Sequence, residues 1–206
     1  MQAPARDRLA RVVSEVFAPA VLIGAQLVAV GWHAGQQAGV SRWWGLPAAL
    51  FAAGIPFANI VRGVRQGRYA DHHIPEREHR RGALLVGAAS VAIGLALLAA
   101  VGAPRELVVL LLAGAVGLAV FATITHWWKI SIHTGVAAGT VVVLAAVFGA
   151  TVFGATVFGA AVLVAAPLVT LVAWARIRLA AHTTAQVIAG GLLGALIAAA
   201  VFLPLR

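Results

Sequence analysis

Apolar runs of membrane-crossing length recur along this chain with almost no charge inside them. They cover residues 16–34, 44–61, 82–101, 106–126, 131–150, 157–174 and 183–203. A helix rises about 1.5 Å per residue, so about 20 apolar residues cross the ~30 Å hydrocarbon of a bilayer. Of the 206 residues, 62% are hydrophobic and 10% are charged. A soluble domain carries about a quarter charged residues. So few charges cannot cover the surface of a soluble enzyme, and so much apolar material excludes a disordered chain. The expected fold is all-α: a polytopic membrane helix bundle of six to seven transmembrane helices. It forms a single integral membrane domain over 1–206.

Residues ahead of the first run, Arg6, Arg8 and Arg11, resemble the basic region of a signal peptide. No small-residue cleavage site followed by a soluble domain comes after them, so the first helix is read as retained. The five-residue repeat VFGAT-VFGAT-VFGA over 147–160 is too short for a solenoid. It reads as the end of one helix and the turn into the next. Gly135-x3-Gly139 and Gly190-x3-Gly194 predict close helix contacts. Such small-residue stripes permit a homo-oligomer without demanding one.

Cysteine is absent, which removes disulfides, thiolate metal sites and Cys nucleophiles. The net charge of +9 suits loops beside anionic lipid better than nucleic acid, because no basic stretch lies outside a plausible loop. Membrane lipids are therefore the expected partners, and nucleic acid is not. With seven spans, Arg6, Arg8, Arg11, Arg62, Arg65, Arg68, Arg77, Arg80, Arg81, Lys129, Arg176 and Arg178 fall on one side. Arg42, Arg105 and Arg206 fall on the other. The positive-inside rule assigns the richer side to the cytoplasm. The expected location is the plasma membrane of a bacterial cell.

Ionisable groups near membrane depth are rare and usually functional. Here three polar junctions share the cytoplasmic side. One is the long loop, with Asp71, His72, His73, Glu76, Arg77, Glu78, His79 and Arg80. The second carries His126, Lys129, Ser131 and His133, and the third Arg176, Arg178 and His182. Only six acids occur, Asp7, Glu15, Asp71, Glu76, Glu78 and Glu106. A Mg²⁺ site needs several carboxylates, so the supply favours a metal-free site without a cofactor. Arginine forks grip tetrahedral oxyanions, and a neutral histidine can attack phosphorus while a second protonates the leaving oxygen. Phosphate is the ligand this inventory fits best.

Spacing sharpens the expectation. Ala175-Arg176-x5-His182-x3-Gln186 resembles the third signature of the type 2 phosphatidic acid phosphatase superfamily, S-R-x5-H-x3-D. Ile130-Ser131-Ile132-His133 is similar to its second signature, P-S-G-H, 49 residues before His182. The loop around Asp71, Arg77 and Arg80 sits where the first, K-x6-R-P, belongs. The resemblance covers residues 60–195. It implies a membrane lipid-phosphate phosphatase that hydrolyses a phosphomonoester or diphosphate, polyprenyl or phosphatidate-like, through a phosphohistidine. His182 would be the nucleophile, His133 the general acid, and Arg176 the phosphate clamp. Arg77 or Arg80, Lys129 and Ser131 would add phosphate contacts.

The chain departs from the pattern at several positions. Ala175 stands for Ser, Ile130 for Pro, Ile132 for Gly, and Arg81 for the Pro of the first motif. Gln186 replaces the Asp that orients the nucleophile. In serine proteases, replacing the orienting acid costs about 10⁴ in rate. The Gln186 carbonyl could still fix the tautomer, and Asp71 or Glu76 from the long loop could supply the charge. Two further readings follow from Gln186. One is a relative that binds or transports phospholipid without hydrolysis. The other is a transferase that passes the phosphoryl or lipid group to an acceptor other than water.

Overall fold

In a computed structural model, the backbone is described for residues 4–70, 77–153 and 158–206. The side chains described are those of the same residues except 77–81, 149–153 and 158–165. Every regular element among them is helical. The helices are α1 (Ala5–Val16), α2 (Pro19–Gln37), α3 (Gly45–Ala49), α4 (Ile55–Arg65) and α5 (Arg77–Ala100). They continue with α6 (Arg105–Trp127), α7 (Ile132–Phe153), α8 (Phe158–Arg178), α9 (Thr184–Ile197) and α10 (Leu203–Leu205). Helix occupies each of the seven expected apolar segments. Four stretches among the described residues are long and apolar enough to cross a membrane: Arg42–Arg65, Gly82–Ala100, Arg105–Trp127 and Thr184–Leu205. The pair α1 and α2, bent by 42°, makes a fifth when counted as one span.

The chain divides into two compact units, Met1–Leu22 with Lys129–Leu205, and Ile23–Trp128 with Arg206. In the first unit α9 packs along α7. The predicted glycine contacts are there. A Cβ on Gly194 would collide with the backbone of Gly135, and Gly139 lies under the Gly194 carbonyl. A Cβ on Gly190 would press on the Ser131 carbonyl and on Thr134 Oγ1. Backbones this close leave room only for hydrogen, and in lipid such contact supplies the dispersion that water expulsion cannot.

Helix α1 packs on α8 through Ala10 and Val13 against Ala175, with Trp174, Phe17 and Leu179 around them. Leu22, Ala137 and Val172 form a second cluster beside it. The apolar run predicts one helix starting near residue 16. The chain instead forms α1 and restarts at Pro19. Proline lacks an N–H and disfavours helix in the residue before it, while suiting a first turn. The repeat over 147–160 begins in α7 and ends in α8, and the expected turn between them falls on residues 154–157, outside the described residues.

In the second unit, α3 and α4 are joined through a π-turn at Leu50–Gly54. Such a turn breaks the regular ladder. Ser90 Oγ on α5 donates to the Phe51 carbonyl at 2.6 Å, so this carbonyl has a partner outside its own helix. Gly94, one turn further along α5, leaves space for the Phe51 ring.

Candidate functional site

The site lies in the first unit, where two junctions meet. One is 129–131, leading into α7. The other is 179–183, between α8 and α9. Ser131 N–H donates to the Gln186 carbonyl at 3.3 Å, which ties the two helix starts together. Ser131 is wholly buried. Its Oγ accepts from Thr134 N–H at 3.4 Å, and Thr134 Oγ1 donates back to the Ser131 carbonyl at 3.2 Å. Serine thus caps α7 by accepting from its third N–H. Ser131 therefore sets the junction with both its hydroxyl oxygen and its backbone N–H.

Helix α9 starts with a capping box. Thr183 Oγ1 accepts from Gln186 N–H at 3.4 Å, and Thr183 N–H donates to Gln186 Oε1 at 3.0 Å. The pattern Thr-x-x-Gln is legible in the sequence as a helix start, but Gln186 drew attention there only as a replaced acid. Gln186 also hydrogen-bonds the His182 ring.

Helix α8 ends in an uncommon way. Ala180 has φ 51°, the left-handed region that usually requires glycine. Ala180 N–H donates to the Ile177 carbonyl at 2.9 Å, and Ala181 N–H to the Arg176 carbonyl at 3.0 Å. These two bonds make a Schellman turn with alanine at the glycine position. His182 N–H also donates to the Arg176 carbonyl, at 3.3 Å. The backbone of Arg176 therefore fixes where His182 begins. An alanine held there costs about 1 kcal/mol, and such strain often gathers at functional sites. Neither Ala180 nor the capping role of Thr183 stood out in the sequence.

His182 is the best-defined group. Its Nδ1 lies 3.1 Å from the Lys129 carbonyl. A carbonyl only accepts, so Nδ1 carries the hydrogen, and the neutral ring keeps its lone pair on Nε2. Burial pushes the pKa down from 6.5 to about 4, and the Arg176 and Lys129 charges push the same way. The Lys129 carbonyl and Gln186 pull it up by less. The imidazole is therefore neutral at physiological pH, next to two cations. Arg176 and His133 are both nearly buried, at 7% and 9% exposure. The N-termini of α7 and α9 add their partial positive charge.

Lys129, Ser131, His133, Arg176, His182 and Gln186 all belong to this unit. Arg77 and Arg80 belong to the other, in the first turn of α5, and their side chains are outside the described residues. Asp71 lies outside the described residues as well. Ala175 is fully buried against Ala10 and Val13. A serine hydroxyl there would face an apolar cluster. No family model, curated protein or solved structure matches the chain.

Proposed function

We propose that the chain is an integral membrane lipid-phosphate phosphatase that works without a metal. The observation that carries this reading is the neutral His182 ring, held at Nδ1 by the Lys129 carbonyl so that its lone pair is on Nε2, beside Arg176 and Lys129. A neutral imidazole among cations is a nucleophile for an anionic phosphorus centre. Nε2 attacks the phosphorus, and the bond to the lipid oxygen breaks as His133 gives that oxygen a proton. Water, deprotonated by His133, then displaces phosphate from His182. Arg176 grips the non-bridging oxygens through the transition state, and Lys129 adds charge.

The Lys129 carbonyl does what the resembling family leaves to an aspartate, holding the tautomer. It brings no negative charge, and neither does Gln186. Polyprenyl phosphates or diphosphates and phosphatidate-like lipids are the substrate class, their tails remaining in the bilayer. With seven crossings, the charge distribution puts the N-terminus and the site on the cytoplasmic side.

The test is phosphate release by the purified protein from a panel of these lipids in EDTA. Release should persist in the chelator. It should fall at least about 10³-fold in His182→Ala and about 10²-fold or more in His133→Ala. A folded protein that binds the lipids but releases no phosphate would overturn hydrolysis. It would favour the binding or transport reading, for which the uncharged Gln186 speaks.

A further inference from the structure

Helix α1 has three faces, not two. At about 100° per residue, Ala10, Val13 and Ser14 fall on one side, and these are its buried residues. Arg8, Arg11 and Glu15 form a second, exposed sector. Leu9, Val12 and Val16 form a third, about 60° wide. They are apolar and 53%, 57% and 53% exposed. The protein core accounts for the first face and water for the second. It leaves the third stripe uncovered, at spacings of three and four from Leu9 to the end of the helix.

Length decides where this stripe can lie. Helices α1 and α2 make a span only as a bent pair, and residues 5–37 are longer than the ~20 that the hydrocarbon layer needs; every charged residue of the pair lies in α1. Helix α1, 12 residues long and bent from α2 by 42°, therefore falls beyond that layer, in the headgroup zone. Its end is pinned there. Asp7 Oδ1 accepts from Arg178 Nε at 2.7 Å, which neutralises the acid of its first turn. Arg6, Arg8 and Arg11 then outnumber Glu15 on the exposed surface of the helix. An apolar stripe flanked by arginines is the pattern of a helix embedded at the headgroup–acyl boundary of an anionic membrane.

We propose that α1 lies obliquely in the anionic lipid interface. Leu9, Val12 and Val16 enter the acyl boundary, and Arg8 and Arg11 contact lipid phosphates. The occupant of the exposed stripe is the lipid surface. This placement depends on neither hydrolysis nor the role of His182.

The native chain has no cysteine, so single probes report cleanly. Leu9→Cys, Val12→Cys, Val16→Cys, Arg8→Cys and Glu15→Cys would each carry an environment-sensitive fluorophore on the full chain. Each would be placed in vesicles about one-third phosphatidylserine and in zwitterionic vesicles. Aqueous iodide should quench positions 9, 12 and 16 about fivefold less than 8 and 15 in the anionic vesicles. Each arginine contributes a factor of about five to surface attachment. Arg8→Gln with Arg11→Gln should therefore remove most of the difference between the two lipids at Val12→Cys. Equal quenching of all five positions would overturn the proposal, since α1 would then lie in water. Equal protection of all five, or protection seen only in nanodiscs holding two copies, would also overturn it. Protein would then cover the stripe.

Discussion

Both units use glycine to bring backbones together, yet the two contacts lead to different things. In the second unit, a Cβ on Gly31 would reach Gly45 Cα at 2.6 Å, so the segment after α2 folds back on it. The outcome is an aromatic cluster. Trp32 meets Trp43 edge to face at 5.2 Å, and Arg42 covers Trp32 at 5.4 Å. Tryptophan and arginine of this kind anchor helices at a membrane interface. In the first unit, a Cβ on Gly194 would reach Gly135 Cα at 2.7 Å, and the same closeness joins two capped helix starts beside His182. The packing device itself carries no function. What it presents depends on the polar residues in the adjacent turn.

The strongest way to break this comparison is to add one methyl group. Gly194→Ala should cost about 3 kcal/mol or prevent folding, because backbone cannot move aside as a side chain can. Gly117→Ala on α6 meets nothing within 4 Å and should gain up to about 1 kcal/mol from helix propensity. Thermal unfolding in detergent measures both. Gly31→Ala sharpens the contrast. It should destabilise comparably, yet the molecules that stay folded should keep their rate of phosphate release. An equal loss of rate per folded molecule would show that the two contacts are not separable.

The histidine gives a pH window. Its folded pKa of about 4 lies below the ordinary 6.5, so between these values the unfolded chain binds more protons. Stability from this group is fully present above pH 6.5 and is lost as pH falls towards 4. The full shift corresponds to about 3 kcal/mol, and partial exposure reduces it to about 1–2 kcal/mol. His182→Gln should flatten that part of the stability curve. The acid limb of phosphate release should likewise sit near pH 4 to 5, and a limb at 6.5 would show an unperturbed ring.

Ala180→Gly should stabilise by about 1 kcal/mol by relieving the left-handed alanine. A gain with slower phosphate release would show that the strain aims His182. The smallest effect is expected from Arg178→Gln. Its bond to Asp7 is half exposed, with side chains 43% and 28% accessible, and such pairs contribute about 0.2–1 kcal/mol.

The all-helical architecture was legible because dry runs of about twenty residues have few other ways to satisfy their backbones in lipid. The glycine pairs were legible for a related reason, since small residues at a spacing of four fall on one helix face. The polar junctions, too, announced themselves by their charge. The partners of those charges were hidden. Asp7 and Arg178 stand 171 residues apart, and nothing local marks them as a pair. Gln186 looked like a missing acid and proved to be half of a capping box. The Lys129 carbonyl could not be seen at all, since every residue has one.

Sequence alone determined that this chain is built of apolar helices, with histidine, arginine and lysine gathered at their ends. Periodicity and side-chain chemistry are local and need no partner to be read. Only the tertiary structure decided that the Lys129 carbonyl faces His182, that Ala180 takes a glycine conformation, and that α1 keeps an uncovered apolar stripe. Each of these depends on which backbone another helix brings alongside, and that is set by packing across the chain.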